Sequence, residues 1–157
     1  KAWKDLGVGE FFDQLALMSS DSYGIAKCTI LQSPDGSLRY RIMNPYADQA
    51  QRAAAWDADC AKATPSEYIE FWVNDEEAMT VTWNNFWLTG LWYQGNPGDD
   101  IKAYLPSVKG SSNANCRFVE DKVVRFTPYY YIDGLGGFGC YDCYLSFPGG
   151  PDLEEWL

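Results

Sequence analysis

The chain of 157 residues contains no histidine. That removes the side chain whose ordinary pKa lies nearest neutrality, and with it the commonest general base, proton shuttle and metal ligand. A Ser-His-Asp triad is excluded, and no Gly-x-Ser-x-Gly elbow is present. Bases are scarce: 12 Lys and Arg face 22 Asp and Glu, a formal charge of −10 with a pI near 4.3. A surface so acidic argues against binding nucleic acid or an anionic membrane through broad electrostatics. No apolar run reaches the roughly 18 residues that a membrane-spanning helix needs, so the chain is not expected to span a bilayer. There is no Asn-x-Ser/Thr acceptor site, which gives no support to a glycosylated route. The first residue is Lys1 rather than Met, which suggests a processed or trimmed form whose targeting segment is out of view.

Aromatic rings are abundant instead, with 7 Trp, 11 Tyr and 8 Phe. They fall in short alternating runs, such as Tyr68-Ile69-Glu70-Phe71-Trp72-Val73 and Met79-Thr80-Val81-Thr82-Trp83. Alternation at period two sends one set of side chains to each face of a sheet. Phe86 to Tyr93 is bulky at both parities, which predicts a strand covered on both faces. At 46% hydrophobic residues the chain is expected to form one domain with a substantial core.

Residues 9–18 carry Phe11, Phe12, Leu15 and Met18 at helical spacing, predicting a short N-terminal helix. Tyr23 to Leu31 and Leu38 to Ile42 read as a hairpin around Ser33-Pro34-Asp35-Gly36, a turn in which Pro fixes φ and Gly accepts positive φ. Asn44-Pro45 followed by seven alanines in 46–62 predicts a helix inserted after the second strand, capped at Asn44 and ended by Thr64-Pro65. Further strands follow at 68–73, 79–83, 86–93, 101–105, 116–119, 122–127, 129–132 and 140–147. The expected fold is therefore mainly β, an antiparallel barrel or sandwich over about 23–148 with a tail at 149–157 that packs loosely or docks on a partner; closed up and down, it makes an eight-stranded barrel. Such a barrel has an interior able to hold one small ligand.

Five cysteines are present, at positions 28, 60, 116, 140 and 143. The odd count leaves at least one thiol unpaired. Their spread fits an oxidising compartment, with Cys28 or Cys116 joined to Cys140 or Cys143, and Cys60 a further candidate. Cys140-Tyr141-Asp142-Cys143 has CxxC spacing, but a redox-active pair wants a helix N-terminus and here the flanks read as a loop entering a strand. A zinc site would need four ligands and, without His, a second distant cysteine pair, so no metal is expected. The paired acids lie in the helix, in turns and in the tail, where solvation explains them; Asp21 and Asp142 are the acids nearest a strand rim. The aromatic set remains as the site: Phe71, Met79, Val81, Trp83, Phe86, Trp87, Trp92, Tyr104 and Tyr141 are the residues expected to contact an apolar ligand or a partner.

Some of these segments together resemble a known family. Cys28-Thr29-Ile30 with Leu38-Arg39-Tyr40-Arg41-Ile42, then Phe86-Trp87-Leu88, Gly95-Asn96-Pro97-Gly98-Asp99-Asp100-Ile101, and Gly137-Phe138-Gly139 before Tyr144 and Pro148, are similar to the lipocalin domain of violaxanthin de-epoxidase and its relatives. The resemblance implies a calycin barrel and a setting in the chloroplast thylakoid lumen. It leads us to expect a non-catalytic protein with no required cofactor, one that binds a carotenoid or other apolar molecule, serves as an accessory subunit of a photosynthetic membrane complex, or both. The alternatives are a xanthophyll de-epoxidase-like oxidoreductase and a purely structural interaction subunit with a filled barrel.

Overall fold

The computed structural model describes all 157 residues. Twelve strands follow one another: β1 (Lys4–Asp13), β2 (Ala26–Gln32), β3 (Arg39–Met43), β4 (Tyr68–Asp75), β5 (Thr80–Trp83), β6 (Phe86–Trp92), β7 (Asp100–Tyr104), β8 (Arg117–Glu120), β9 (Val123–Phe126), β10 (Tyr129–Ile132), β11 (Gly136–Cys140) and β12 (Cys143–Ser146). Helix α1 (Gln49–Ala55) lies between β3 and β4, and α2 (Leu153–Trp156) ends the chain. Eight strands close an antiparallel barrel in the order β1-β12-β9-β8-β5-β4-β3-β2, and the other four form a sheet in the order β11-β10-β7-β6. The protein is thus mainly β, with the eight-stranded closed barrel of a lipocalin-like fold.

The second sheet prolongs half of the barrel wall. β6 continues β5, β10 continues β9, and β7 and β11 lead into β8 and β12, so the order β6-β7-β10-β11 repeats β5-β8-β9-β12. The breaks have local causes. Asn85 takes a left-handed φ of 52° between β5 and β6. Pro128 between β9 and β10 has no N–H for the ladder.

Alternation fares as expected on β3 and β4. Tyr40, Ile42, Ile69 and Phe71 are buried, while Arg39 and Arg41 stand outside and both reach Glu70 at 2.8 Å. These half-exposed ion pairs contribute at most about 1 kcal/mol each; the buried face sets the register.

Three expectations are corrected. Residues 9–18 do not form a helix: β1 runs to Asp13, pairing with β2 on one side and β12 on the other. Barrel closure hydrogen-bonds both edges of this segment, which outweighs its helical spacing, and Met18 ends 40% exposed. The alanine-rich run yields a seven-residue helix and a 3₁₀ turn at Cys60–Lys62. Asp48, not Asn44, caps it, accepting from the N–H of Ala50 and Gln51 at 3.0 and 3.3 Å. Asp57 then accepts from Cys60 N–H at 2.7 Å and starts the new turn. The helix follows the third strand because β1 is itself a strand. The tail is not loose: Leu153 is buried, and Trp156 Nε1 donates to Glu120 at 2.7 Å.

Helix α1 is held against β6 through Arg52, only 4% exposed. Gly90, at φ +78°, leaves the space: a Cβ there would lie 2.7 Å from Arg52 Nε and 3.0 Å from Pro65 Cβ. Gly90→Ala is expected to destabilise the fold by about 2 kcal/mol from the left-handed backbone and this clash. Urea unfolding should show a lower midpoint with an unchanged slope. An unchanged midpoint would mean that α1 is not clamped at this point.

Candidate functional site

The structure divides the expected aromatic site among several places. Phe71, Val81, Trp83 and Trp87 converge inside the barrel, each at most 4% exposed. Phe126 of β9 joins them, its ring centroid 5.0 Å from Phe71, 5.7 Å from Trp83 and 5.9 Å from Trp87. Phe86 and Tyr104 pack on each other at 5.1 Å, on the opposite face of the second sheet from Trp87. Met79 lies in the turn before β5 beside a hollow shared with Arg117 and Phe118. Trp92 is half-buried at the end of β6, and Tyr141 stands 6.2 Å from Tyr130 at the β11–β12 junction.

The rings inside the barrel form a continuous column along its axis. At one mouth, Tyr40 and Phe147 meet at 4.9 Å beneath a hollow of about 300 Å³ that Leu6 and Phe118 also line. Tyr40 then touches Phe71, Phe71 touches Phe126, and Phe126 touches Trp83 and Trp87, themselves 4.9 Å apart. T-shaped contacts of this kind add about 0.5–1.5 kcal/mol each beyond their area burial. Five surface hollows of about 160–510 Å³ open to solvent, and none is lined by Phe71, Val81, Trp83, Trp87 or Phe126.

The far end of the column is polar. Trp87 Nε1 donates to Tyr46 Oη at 2.8 Å, and the Tyr46 hydroxyl donates to Asp13 Oδ2 at 2.6 Å. Asp13 Oδ1 accepts from the N–H of Leu15 and Ala16 at 2.8 and 2.9 Å. Beside them Tyr130 Oη and Cys143 Sγ are 3.1 Å apart. Asp13, Tyr130 and Cys143 have no measurable exposure, and Tyr46 has 1%.

Burial pushes the Asp13 carboxyl above its ordinary range, against the opposing pull of the Tyr46 and Tyr130 hydroxyls and the two backbone N–H groups. Burial first, and then the nearby Asp13, holds Tyr46, Tyr130 and Cys143 well above theirs. Each of these shifts favours the un-ionised form. Chemically the cluster offers one carboxyl group and a thiol that burial disfavours from ionising, and none of the five hollows above is lined by Asp13, Tyr46, Tyr130 or Cys143.

Asp13, Tyr46 and Tyr130 were not among the expected site residues. Reading 9–18 as a helix hid Asp13; read as a strand, Gly9, Phe11 and Asp13 share one parity and point inward together. The rim acids behave differently, with Asp21 exposed in the 18–23 loop and Asp142 half-buried.

No disulfide is present, and all five thiols are free. The expected link from Cys28 or Cys116 to Cys140 or Cys143 is not made. Cys116 lies 3.2 Å from the Thr127 hydroxyl, Cys143 contacts Tyr130, and Cys28 sits in the β2 wall, where burial pushes its thiol up to about 12. Cys60 is buried in its 3₁₀ turn, and Cys140 alone is exposed. No three of the His, Cys, Asp and Glu side chains come together as metal ligands. No helix is long and apolar enough to cross a membrane.

A scan against protein-family models finds no match for the chain, and searches of curated proteins and of solved structures find none either. The site is therefore interpreted from its own geometry.

Proposed function

We propose that this chain is a non-catalytic, lipocalin-like interaction subunit whose barrel is filled by its own side chains. The observation that carries this reading is the ring column from Tyr40 through Phe71, Phe126 and Trp83 to Trp87, which occupies the volume where a carrier of the same architecture holds its ligand. A packed column of this kind makes the barrel a rigid frame, so recognition falls to the outside.

The photosynthetic setting, and placement in the thylakoid lumen, are supported by the resemblance to the violaxanthin de-epoxidase lipocalin domain. The acidic surface is compatible with both. On this reading Phe71, Val81, Trp83 and Trp87 build the frame, while Phe86, exposed outside it over the buried Tyr104, is available to partners.

One observation favours a second reading, a de-epoxidase-like oxidoreductase. Burial holds the Asp13 carboxyl above its ordinary range beside two phenols, which favours keeping a proton that a substrate could take. Use of that proton would require the ring column to open.

Absorption spectroscopy and mass spectrometry of the native protein separate the readings. We expect a colourless protein, without bound carotenoid, recovered within a larger assembly. Incubated with violaxanthin and ascorbate at mildly acid pH, it should leave the pigment unchanged. A stoichiometric carotenoid would overturn the filled-barrel reading. Ascorbate-dependent conversion that Asp13→Asn abolishes would establish the oxidoreductase.

A further inference from the structure

The geometry points to β11 as a strand-addition site for a basic, extended segment of another protein. This rests on the interaction-subunit reading above and names the surface and the partner's chemistry.

The second sheet copies the barrel order from β5 to β12, but the next barrel strand, β1, has no counterpart in it. The seam between β12 and β1 ends where Gln14 N–H bonds Asp142 O at 3.0 Å. Beyond that point the chain turns away through Gln14–Leu17, and β11 pairs with β10 alone. No main-chain group of residues 136–140 bonds to a loop or side chain. Atoms placed as Cβ on Gly136 or Gly139 would meet nothing within 4 Å.

The sheet's other edge is treated differently. Along β6, Ser66 N–H donates to Leu88 O at 3.1 Å, and Leu88 N–H donates to Ser66 Oγ at 2.8 Å. One edge is covered by the chain itself, and the other is left open.

Uncovered edges are commonly protected by lysine, proline or a charge pointing across them. The stretch Gly134-Leu135-Gly136-Gly137-Phe138-Gly139-Cys140-Tyr141 has none of these; its protection is limited to its five-residue length and one register shift against β10. An unpaired row of N–H and C=O groups is complementary to another extended backbone, and neighbouring pockets select its side chains. One such pocket lies at the start of β11: a hollow of about 160 Å³ lined by Tyr93, Ile132, Leu135, Gly136, Gly137 and Phe138. It suits a single apolar side chain. Leu135 stands 60% exposed at its rim, while Phe138 is backed by Trp56 and Tyr93, each 5.7 Å away.

Charge decides between a foreign strand and a second copy of this chain. From Phe126 to Leu157 there is no Lys or Arg, and the acids that flank β11 along the chain are Asp133, which Lys102 pairs at 2.7 Å, and Asp142. With the net charge of −10, edge-to-edge pairing of two copies brings like charges together, whereas an apolar strand flanked by Lys or Arg is attracted.

The probe is a panel of synthetic peptides about eight residues long, alternating Thr with Val, Leu, Ile or Phe between terminal lysines, added to the intact chain. Amide hydrogen exchange followed by NMR reads the result. At least one peptide is expected to slow exchange of amides within 136–140 by about tenfold or more. The same peptide N-methylated at alternate residues should lose the effect, because its side chains remain but its main-chain donors do not.

Leu135→Lys should weaken binding about tenfold by placing a like charge at the rim; the site is exposed, so folding is unaffected. Unchanged exchange at 136–140 with every peptide overturns the site. So does full activity of the N-methylated peptide, or protection of these amides by dimerisation without peptide. Native-state pigment or de-epoxidation would instead overturn the functional reading of the preceding section, a result distinguishable from any of these.

Discussion

Phe126→Ala is expected to lower the free energy of unfolding by about 3–5 kcal/mol. The ring is fully buried and is the one member of the column that touches Phe71, Trp83 and Trp87 together. Its removal forfeits the transfer free energy of the ring and leaves a cavity that the surrounding strands, closed into a barrel, cannot collapse to fill. Typical domains hold only about 5–15 kcal/mol in total, so the variant should lie near the edge of folding. Phe126→Leu keeps most of the apolar volume and should cost under about 1.5 kcal/mol. Urea denaturation at equilibrium measures both. The cavity in the alanine variant is lined by apolar groups, so it should stay dry and accept a small aromatic molecule, which would restore part of the loss. A cost below about 1 kcal/mol for Phe126→Ala would show that the barrel centre is not packed around this ring, and would reopen the case for a ligand inside it.

At Asp13, alanine and asparagine should differ in cost, and the stability of each relative to the parent should change with pH. Asp13→Ala leaves the Tyr46 hydroxyl and the N–H groups of Leu15 and Ala16 without their acceptor. Buried donors stripped of a partner cost about 1–3 kcal/mol each, with some relief from relaxation, so a loss of about 3 kcal/mol or more is expected below about pH 4, shrinking as the parent loses its Asp13 contribution at higher pH. Asparagine keeps an oxygen for the two backbone donors and carries no charge to bury.

The folded carboxyl holds its proton above the ordinary value of 3.8. The folded state therefore binds that proton more tightly than the unfolded chain does. The Asp13 contribution is fully present below 3.8 and is lost as pH rises through the higher folded value. The stability of Asp13→Asn relative to the parent should accordingly improve from about pH 4 upward and then level off. Asp57 and Asp133, both held below their ordinary range by hydrogen bonds, act in the opposite sense and lose their contribution below 3.8. The two windows do not overlap. Parallel pH–stability curves for parent and Asp13→Asn above pH 4 would mean that Asp13 is not held as the neutral acid.

Much of this architecture was legible in the amino-acid order. Tyr40 and Ile42 alternate with Arg39 and Arg41, and Ile69 and Phe71 with Glu70 and Trp72, which is enough to place a buried and a solvated face on β3 and β4. Phe86–Trp92 is bulky at both parities, yet only its Trp87 side is covered, by the barrel core; on the other side Phe86 packs on Tyr104 and stays exposed. Where two periodicities competed, the local pattern misled. Phe11, Phe12, Leu15 and Met18 satisfy a helix as well as a strand satisfies Gly9, Phe11 and Asp13, and only the partners β2 and β12 break the tie.

By itself, then, the sequence determined the class of fold, the aromatic character of its interior and the absence of histidine, because parity and composition are local properties. Three things waited for the tertiary structure: that Tyr40, Phe71, Phe126, Trp83 and Trp87 meet in one column, that Asp13 lies buried beside Tyr46, Tyr130 and Cys143, and that β11 pairs on one side only. Each depends on which distant segments meet. Closure of the sheet joins residue 13 to residue 143, and the turn after Asp13 denies the second sheet its fifth strand, and no periodicity within a single segment encodes such pairings.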